Sequence, residues 1–242
     1  MSRKEGQARI LTKTELKDVI SSLKPKKYQK RNKAILMMAF KVGLRSKEIS
    51  SITLDDVLTR KGKSKYNSAK VECETECETE WENDDLKDSF TLRSATTKGS
   101  KVDSAYLASK IVRESILEYL SERVMMFQRG EVDNLFITKR GLSFSALTMS
   151  QLFFDISKAS GIEFSSHSGR RTLCTNLVRK GLNIFDVQAI MRHANIATTQ
   201  LYYQKDERRL GDLMVDAQDG EWVYEDCPKE FLAVFAPIFS KI

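Results

Sequence analysis

Between Pro25 and Gly43 the chain contains AILMMAF, Ala34 to Phe40, seven consecutive apolar residues that leave a helix no polar side. Such a helix has to be enclosed by other elements, because any flank turned to water would expose apolar surface. It is far too short to span a bilayer, which takes about 20 residues. The run therefore predicts the centre of a globular core, in a helix that starts after Pro25 and stops at Gly43. Ahead of it, Thr12 to Glu15 (TKTE) reads as a capping box, opening an amphipathic helix to about Leu23.

Further along, the pattern changes period. From Val71 to Trp81 the odd positions are Val, Cys, Thr, Cys, Thr and Trp, and every even position from Glu72 to Glu82 is glutamate. A period of two predicts a strand with one acidic, solvated face, an acidic β insertion over about 71–88. Ser89 to Thr97 and Val102 to Leu107 flank Lys98, Gly99, Ser100 and Lys101 as a hairpin would. Ala108 to Met126 reads as a long helix, Leu135 to Thr138 as a short strand, and nearly everything after Ala146 as helix. The expected fold class is α+β, mainly α: a helical domain with a small antiparallel β-sheet.

Forty Lys and Arg face 33 Asp and Glu, a net charge of +7. Nine of those acids lie between Glu72 and Asp88, where Lys87 is the only base, so the remainder of the chain carries a surplus of +15. A surface of that sign suits a polyanion such as nucleic acid, by neutralising phosphates and releasing their counterions. The amino-terminal MSRKEGQ lacks a secretory hydrophobic region, and the four cysteines are compatible with a reducing compartment, so a soluble intracellular protein is expected. Cys73 and Cys77 have the spacing of two metal ligands, but no second pair completes a zinc set, and no metal site is expected.

Both histidines of the chain fall in HSGRRTLCTNLVRKGLNIFDVQAIMRHANIATTQLYYQ, His167 to Gln204. His167 and Arg170 share a face at the start of a helix that Gly181 closes. A second helix, Asn183 to Arg192, leads to His193, and Tyr202 follows nine residues later. On an unbroken helix nine residues advance about 900°, which would put His193 and Tyr202 on opposite faces. A break is needed for them to cooperate, and Asn195 is a suitable cap for a new helix. On that helix Tyr203 continues the apolar face of Ile196, whereas Tyr202 aligns with Asn195, Thr198 and Thr199 on the polar face. Tyr203 is thus expected to pack and Tyr202 to act.

GLRSKEI at Gly43 to Ile49, TKGSK at Thr97 to Lys101, HSGRR at His167 to Arg171 and RHANIATTQLYY at Arg192 to Tyr203 together resemble the tyrosine recombinase (phage integrase) family, from about Leu11 to Gln204. The resemblance implies a tyrosine recombinase catalytic fold and a site-specific DNA recombinase that works through a 3′-phosphotyrosyl intermediate, without metal, ATP or other cofactor. In it Arg45 and Arg170 would clamp the non-bridging phosphate oxygens with planar, permanently charged donors. Tyr202 would attack phosphorus, with His167 as proton acceptor and His193 hydrogen-bonding the phosphate. Lys98 would protonate the leaving 5′ oxygen, with Lys101 its rival. Glu48, one turn beyond Arg45, would orient neighbouring groups.

The same resemblance divides the chain into a basic lead, 1–10, a catalytic domain, 11–225, and an apolar tail, 226–242, exchanged between protomers. Most members carry a helical clamp domain where this chain has about ten residues, so a compact recombinase or an excised catalytic domain is implied, with weak and strongly salt-dependent DNA binding. The implied partner is double-stranded DNA, bound as a tetramer on paired sites by a protein otherwise monomeric or weakly oligomeric. A cytoplasmic, nucleoid-associated protein encoded by a bacterium, archaeon or phage follows. Two other readings stay open: a non-cleaving DNA-binding regulatory protein of the same fold, and a type IB topoisomerase.

Overall fold

The apolar run is enclosed as its composition demands: no residue from Ala34 to Phe40 is more than 2% exposed. It belongs to α2 (Gln29–Met37), which continues into a π-helical turn, Met38–Val42, and ends at Gly43 in the left-handed region, φ 76°. The computed structural model describes residues 8–23, 28–72, 79–92, 103–126, 132–203 and 211. Contacts group Met1–Tyr203 as one unit and Gln204–Ile242 as another. All elements below belong to the first.

α2 packs on α6 (Lys110–Met126) and its π-helical turn on α8 (Ser166–Arg179), while α1 (Lys13–Ser22), α3 (Ser46–Ser51) and α7 (Ala146–Ser160) contribute to the same core. Thr12 caps α1 through the expected reciprocal box with Glu15. The start of α2 is capped from a distance: the Glu122 carboxylate of α6 accepts the backbone N–H groups of Tyr28 and Arg31, each at 2.9 Å. An anion there satisfies orphan donors and opposes the helix dipole, so one residue fixes α6 against α2.

Buried arginines do similar work on the irregular segment 132–137. Arg123, 1% exposed, donates to the carbonyls of Leu135, Val132 and Asn134 at 3.0, 2.8 and 2.8 Å. Arg31, 2% exposed, donates to the Ile137 carbonyl at 2.9 Å. The strand expected over Leu135–Thr138 is replaced by isolated bridges, Thr53 with Asn134 and Ile137 with Ser143. Side-chain donors from helices take up carbonyls that a neighbouring strand would otherwise have to satisfy.

The small sheet is the expected antiparallel pair. β1 (Ser89–Leu92) lies against β2 (Asp103–Tyr106) with Ser89 opposite Tyr106 and Leu92 opposite Asp103. The hairpin tip, with Lys98 and Lys101, is outside the described residues. The acidic strand needs correction. Leu54–Val57 forms a short helix, α4, and Arg60–Glu72 a longer one, α5, so Val71 and Glu72 are helical. Thr79–Glu82 belongs to no strand, and residues 73–78 are outside the described set. Tyr66 and Ala69, three apart, bury one side of α5, and its backbone bonds are satisfied locally, so the alternation begun at Val71 does not start a strand.

The last helices are α9 (Ile184–Met191) and α10 (Ile196–Tyr203). With α8 they enclose a second, smaller core of Cys174, Val178, Val187 and Met191. The join between the two cores is tight at Gly169: a Cβ there would meet the carbonyl carbon and oxygen of Ala39 at 2.7 Å each. The glycine of HSGRR therefore lets α8 lie directly on the backbone of the π-helical turn. Gly169→Ala is expected to lower unfolding free energy by about 1–3 kcal/mol, the usual cost of overpacking, as measured by urea denaturation.

Candidate active site

Gly43 is where the site is assembled. Its positive φ ends the central helix and leaves its carbonyl available to two guanidinium groups: Arg170 Nη1 donates at 2.8 Å and Arg192 Nη2 at 3.1 Å. Arg170 Nη2 also donates to the Met191 carbonyl. Two residues after Gly43, Arg45 precedes α3, and Glu48 reaches back as that helix's third residue to accept the Arg45 backbone N–H at 2.8 Å. The other Glu48 oxygen pairs with Arg45 Nη1 at 2.5 Å.

Arg45, Arg170, Arg192 and Glu48 thus share one locality, on which Asp103 also acts through Arg192, and the cluster is net positive. Their mutual effect is visible in Arg170, which is 8% exposed. Burial first, and then repulsion from Arg45 and Arg192, pull its pKa down to about 10, so it stays charged at neutral pH. Burial likewise lowers the pKa of Arg192, and Glu48 opposes the shift. Arg170 has two donors on carbonyls and, by the geometry of a guanidinium, three N–H groups left for a ligand. Arg45 is the more open of the two predicted clamps, its side chain 44% exposed.

His193 adjoins this cluster. Arg192 closes α9 in the left-handed region, φ 52°, and the backbone N–H of His193 returns to the Gln188 carbonyl at 3.1 Å. That turn supplies the break which the nine-residue spacing requires. Asn195 then opens α10, its side chain accepting the Ala197 N–H at 2.9 Å. The His193 and Tyr202 rings consequently stack, with centroids 6.5 Å apart and planes inclined by 16°. His193 Nδ1 is paired with Thr199 Oγ1 at 2.8 Å, which leaves Nε2 as the ring nitrogen for a further partner.

The polar face expected for α10 is not a solvent face: Thr199 on it is fully buried and Tyr202 half-buried. Tyr203 packs as expected, and its hydroxyl donates to the Leu182 carbonyl. Tyr202 also rests against the smaller core. Among the described residues its hydroxyl has no hydrogen-bond partner. Burial raises the Tyr202 pKa, Cys174 adds to this, and Arg171 and Arg170 pull the other way. The phenol is therefore protonated at neutral pH.

Arg45, Glu48, Arg170, His193 and Tyr202 are brought together. His167 lies one turn before Arg170 on α8, exposed, with no hydrogen bond among the described residues. Lys98 is outside the described residues. Sequence reasoning missed Arg192 and the role of Thr199; the signal for Arg192 was a charged residue where a helix had to be broken.

The comparisons with known proteins fit this geometry. The family model described as "Phage integrase family" matches residues 9–209. The chain belongs to the phage integrase family. Transposase A from transposon Tn554 of Staphylococcus aureus is 30% identical over 200 residues, covering 81% of this chain and 48% of the relative. TnP I resolvase of Bacillus thuringiensis is 28% identical over 185 residues, covering 76% of this chain and 54% of the resolvase. This integrase-family chain spans about half the length of the curated relatives it matches. The crystal structure of XerA recombinase has the same fold, with a TM-score of 0.62 at 22% identity over 89% of this chain and 66% of that one. The Tn1549 transposon integrase in complex with transposon right end DNA does too, with a TM-score of 0.61 at 15% identity over 90% of this chain and 68% of the other.

The charge cluster sets a pH dependence. Burial, followed by repulsion from Arg170, Arg45 and Arg192, pulls the His193 pKa down to about 4 from an ordinary 6.5. The unfolded chain takes up a proton between these values and the folded chain does not. Stability is accordingly full above pH 6.5 and falls as pH drops from there toward 4. Urea unfolding across that range is expected to show the slope, and His193→Gln to flatten it. Thr199→Val, which keeps the shape and removes the hydroxyl, is expected to cost about 1 kcal/mol in the same measurement.

Proposed function

We propose that the chain is the catalytic portion of a site-specific DNA recombinase of the integrase or invertase kind, cutting and rejoining DNA through a 3′-phosphotyrosyl bond. The observation that carries the reading is the cluster of Arg45, Arg170 and Arg192 around a single carboxylate, beside a stacked imidazole and phenol. A net-positive site suits an anion, and a phosphodiester has two non-bridging oxygens for two guanidinium forks. Membership of the phage integrase family supports the same reading. So do relatives such as XerH, described as bound to palindromic difH substrate in a post-cleavage complex.

In this mechanism Arg45 turns from Glu48 to one phosphate oxygen while Arg170 uses its remaining N–H groups on the other. Tyr202 Oη attacks phosphorus in line, and the phosphorus bond to the 5′ oxygen breaks. The phenolic proton passes to a base, for which His167 is the candidate, and the departing 5′ oxygen takes a proton from Lys98. His193, neutral through its lowered pKa, donates from Nε2 to the phosphate, and its unprotonated Nδ1 accepts from the Thr199 hydroxyl. The developing negative charge falls on fixed cations in a partly dry site, where such charges act most strongly.

The arginines supply the charge stabilisation that a metal ion would otherwise give, and the phosphotyrosyl bond conserves the energy of the broken linkage, so neither metal nor ATP is needed. Attack by a 5′ hydroxyl on that bond reverses the step and joins a new partner strand. Four protomers on paired duplex sites would carry two such exchanges, with the apolar segment Glu230 to Phe239 as their link. No described helix is long and apolar enough to cross a membrane.

A library of nicked duplexes, in which cleavage releases a short fragment and traps the enzyme, tests this. A covalent protein–DNA adduct is expected, lost in Tyr202→Phe and retained in Tyr203→Phe. An adduct that survives Tyr202→Phe contradicts the assignment. Relaxation of supercoils without any site preference would support the topoisomerase reading instead.

A further inference from the structure

Arg192 is held where two physical costs meet. Its φ of 52° lies in the left-handed region, which the described chain otherwise gives only to Tyr28 and to Gly43, Gly141, Gly161 and Gly181. Its side chain is 4% exposed and its Nε is buried without a hydrogen-bond partner. Glycine would avoid both costs, and non-glycine residues kept in such conformations are often retained for function.

What the guanidinium reaches explains its retention. Nη2 donates to the Gly43 carbonyl at 3.1 Å and stands 3.6 Å from Glu48 Oε2, while Nη1 donates to the Ile190 carbonyl at 3.1 Å. Glu48 is itself 18% exposed and holds the more open Arg45 through its other oxygen. One carboxylate therefore sits between a buried cation and an accessible one. If Arg45 were its only partner, turning Arg45 toward a phosphate would leave Glu48 a poorly hydrated, unpaired anion, which is unfavourable.

We propose that Arg192 is a positioning residue of the phosphate clamp: it keeps Glu48 paired from the buried side, so that Arg45 is free to leave the carboxylate for the DNA phosphate. The inference rests on the recombinase reading above. Arg192 also adds to the field that keeps His193 neutral, so one side chain serves both neighbours of the phosphate.

The test uses the whole chain with Arg192→Gly, which suits the backbone conformation, and Arg192→Lys, which keeps the charge. Arg192→Gly relieves the strained φ but gives up buried hydrogen bonds to the Gly43 and Ile190 carbonyls, and at a temperature where both proteins are fully folded it is expected to slow single-turnover cleavage of the nicked duplex about tenfold while its DNA dissociation constant changes by less than about threefold. Arg192→Lys should return the rate to within about threefold of the parent. In a Glu48→Gln background, where no carboxylate needs holding, Arg192→Gly should slow cleavage less than about twofold further. Parental cleavage by Arg192→Gly overturns the proposal, as does an undiminished tenfold loss in the Glu48→Gln background, or a rate loss matched by loss of folded protein.

A parent that forms no adduct would sink the recombinase reading, and the positioning role would still be decided in the free protein. NMR relaxation of the Arg45 guanidinium nitrogens should show a more restricted side chain in Arg192→Gly than in the parent. Unchanged relaxation counts against the role.

Discussion

The Gly43 carbonyl, accepting from Arg170 and Arg192, is the contact on which the site depends. It joins the end of the central helix to α8 and to the turn between α9 and α10, and so ties together three segments far apart in sequence. The π-helical turn at Met38–Val42 and the left-handed Gly43 bring that carbonyl to the arginines, while Gly169 lets α8 approach close enough to use it. Two guanidinium groups on one oxygen repel each other. The carbonyl dipoles of Met191 and Ile190 and the charge of Glu48 offset that repulsion, but the locality stays positive and is best completed by an anion.

The same field governs the neighbouring rings. His193 is driven toward its neutral form and Tyr202 is held protonated by burial despite the arginines. The imidazole is thus a neutral hydrogen-bonding group and the phenol is un-ionised. On the recombinase reading proposed above, an arriving phosphodiester would neutralise the surplus and draw Arg45 out of its pair with Glu48, and the phenolic proton would still need a base.

Much of this was legible in local sequence. The all-apolar run, the Thr12 capping box, the Gly43 stop and the Asn195 cap are short-range signals, and each appears where the spacing puts it. The required break between His193 and Tyr202 followed from helical periodicity alone. Helix α5 was hidden because its lysine-rich sequence has little apolar contrast, and the period-two glutamate pattern overlaps its last two residues, Val71 and Glu72. Leu135 to Thr138 looked like a strand because Leu135, Phe136 and Ile137 are consecutive apolar residues, but Arg123 and Arg31 satisfy carbonyls of this segment from helices, a tertiary effect that no local pattern carries. Thr199 was expected on a polar face, and only the packing of α10 on α8 and α9 turns that face inward. Arg192 was read as part of a motif and not as a group, since its partners Gly43 and Glu48 are about 150 residues away.

The most direct measurement is an experimental structure of the Tyr202→Phe protein on an uncleaved duplex. The account predicts one phosphodiester seated against Arg45 and Arg170, with Arg45 withdrawn from Glu48, Arg192 still on the Gly43 carbonyl, and the ring of residue 202 in line behind the phosphorus. A duplex whose backbone lies away from the Gly43 cluster, or a phosphate with residue 202 out of line, would contradict it.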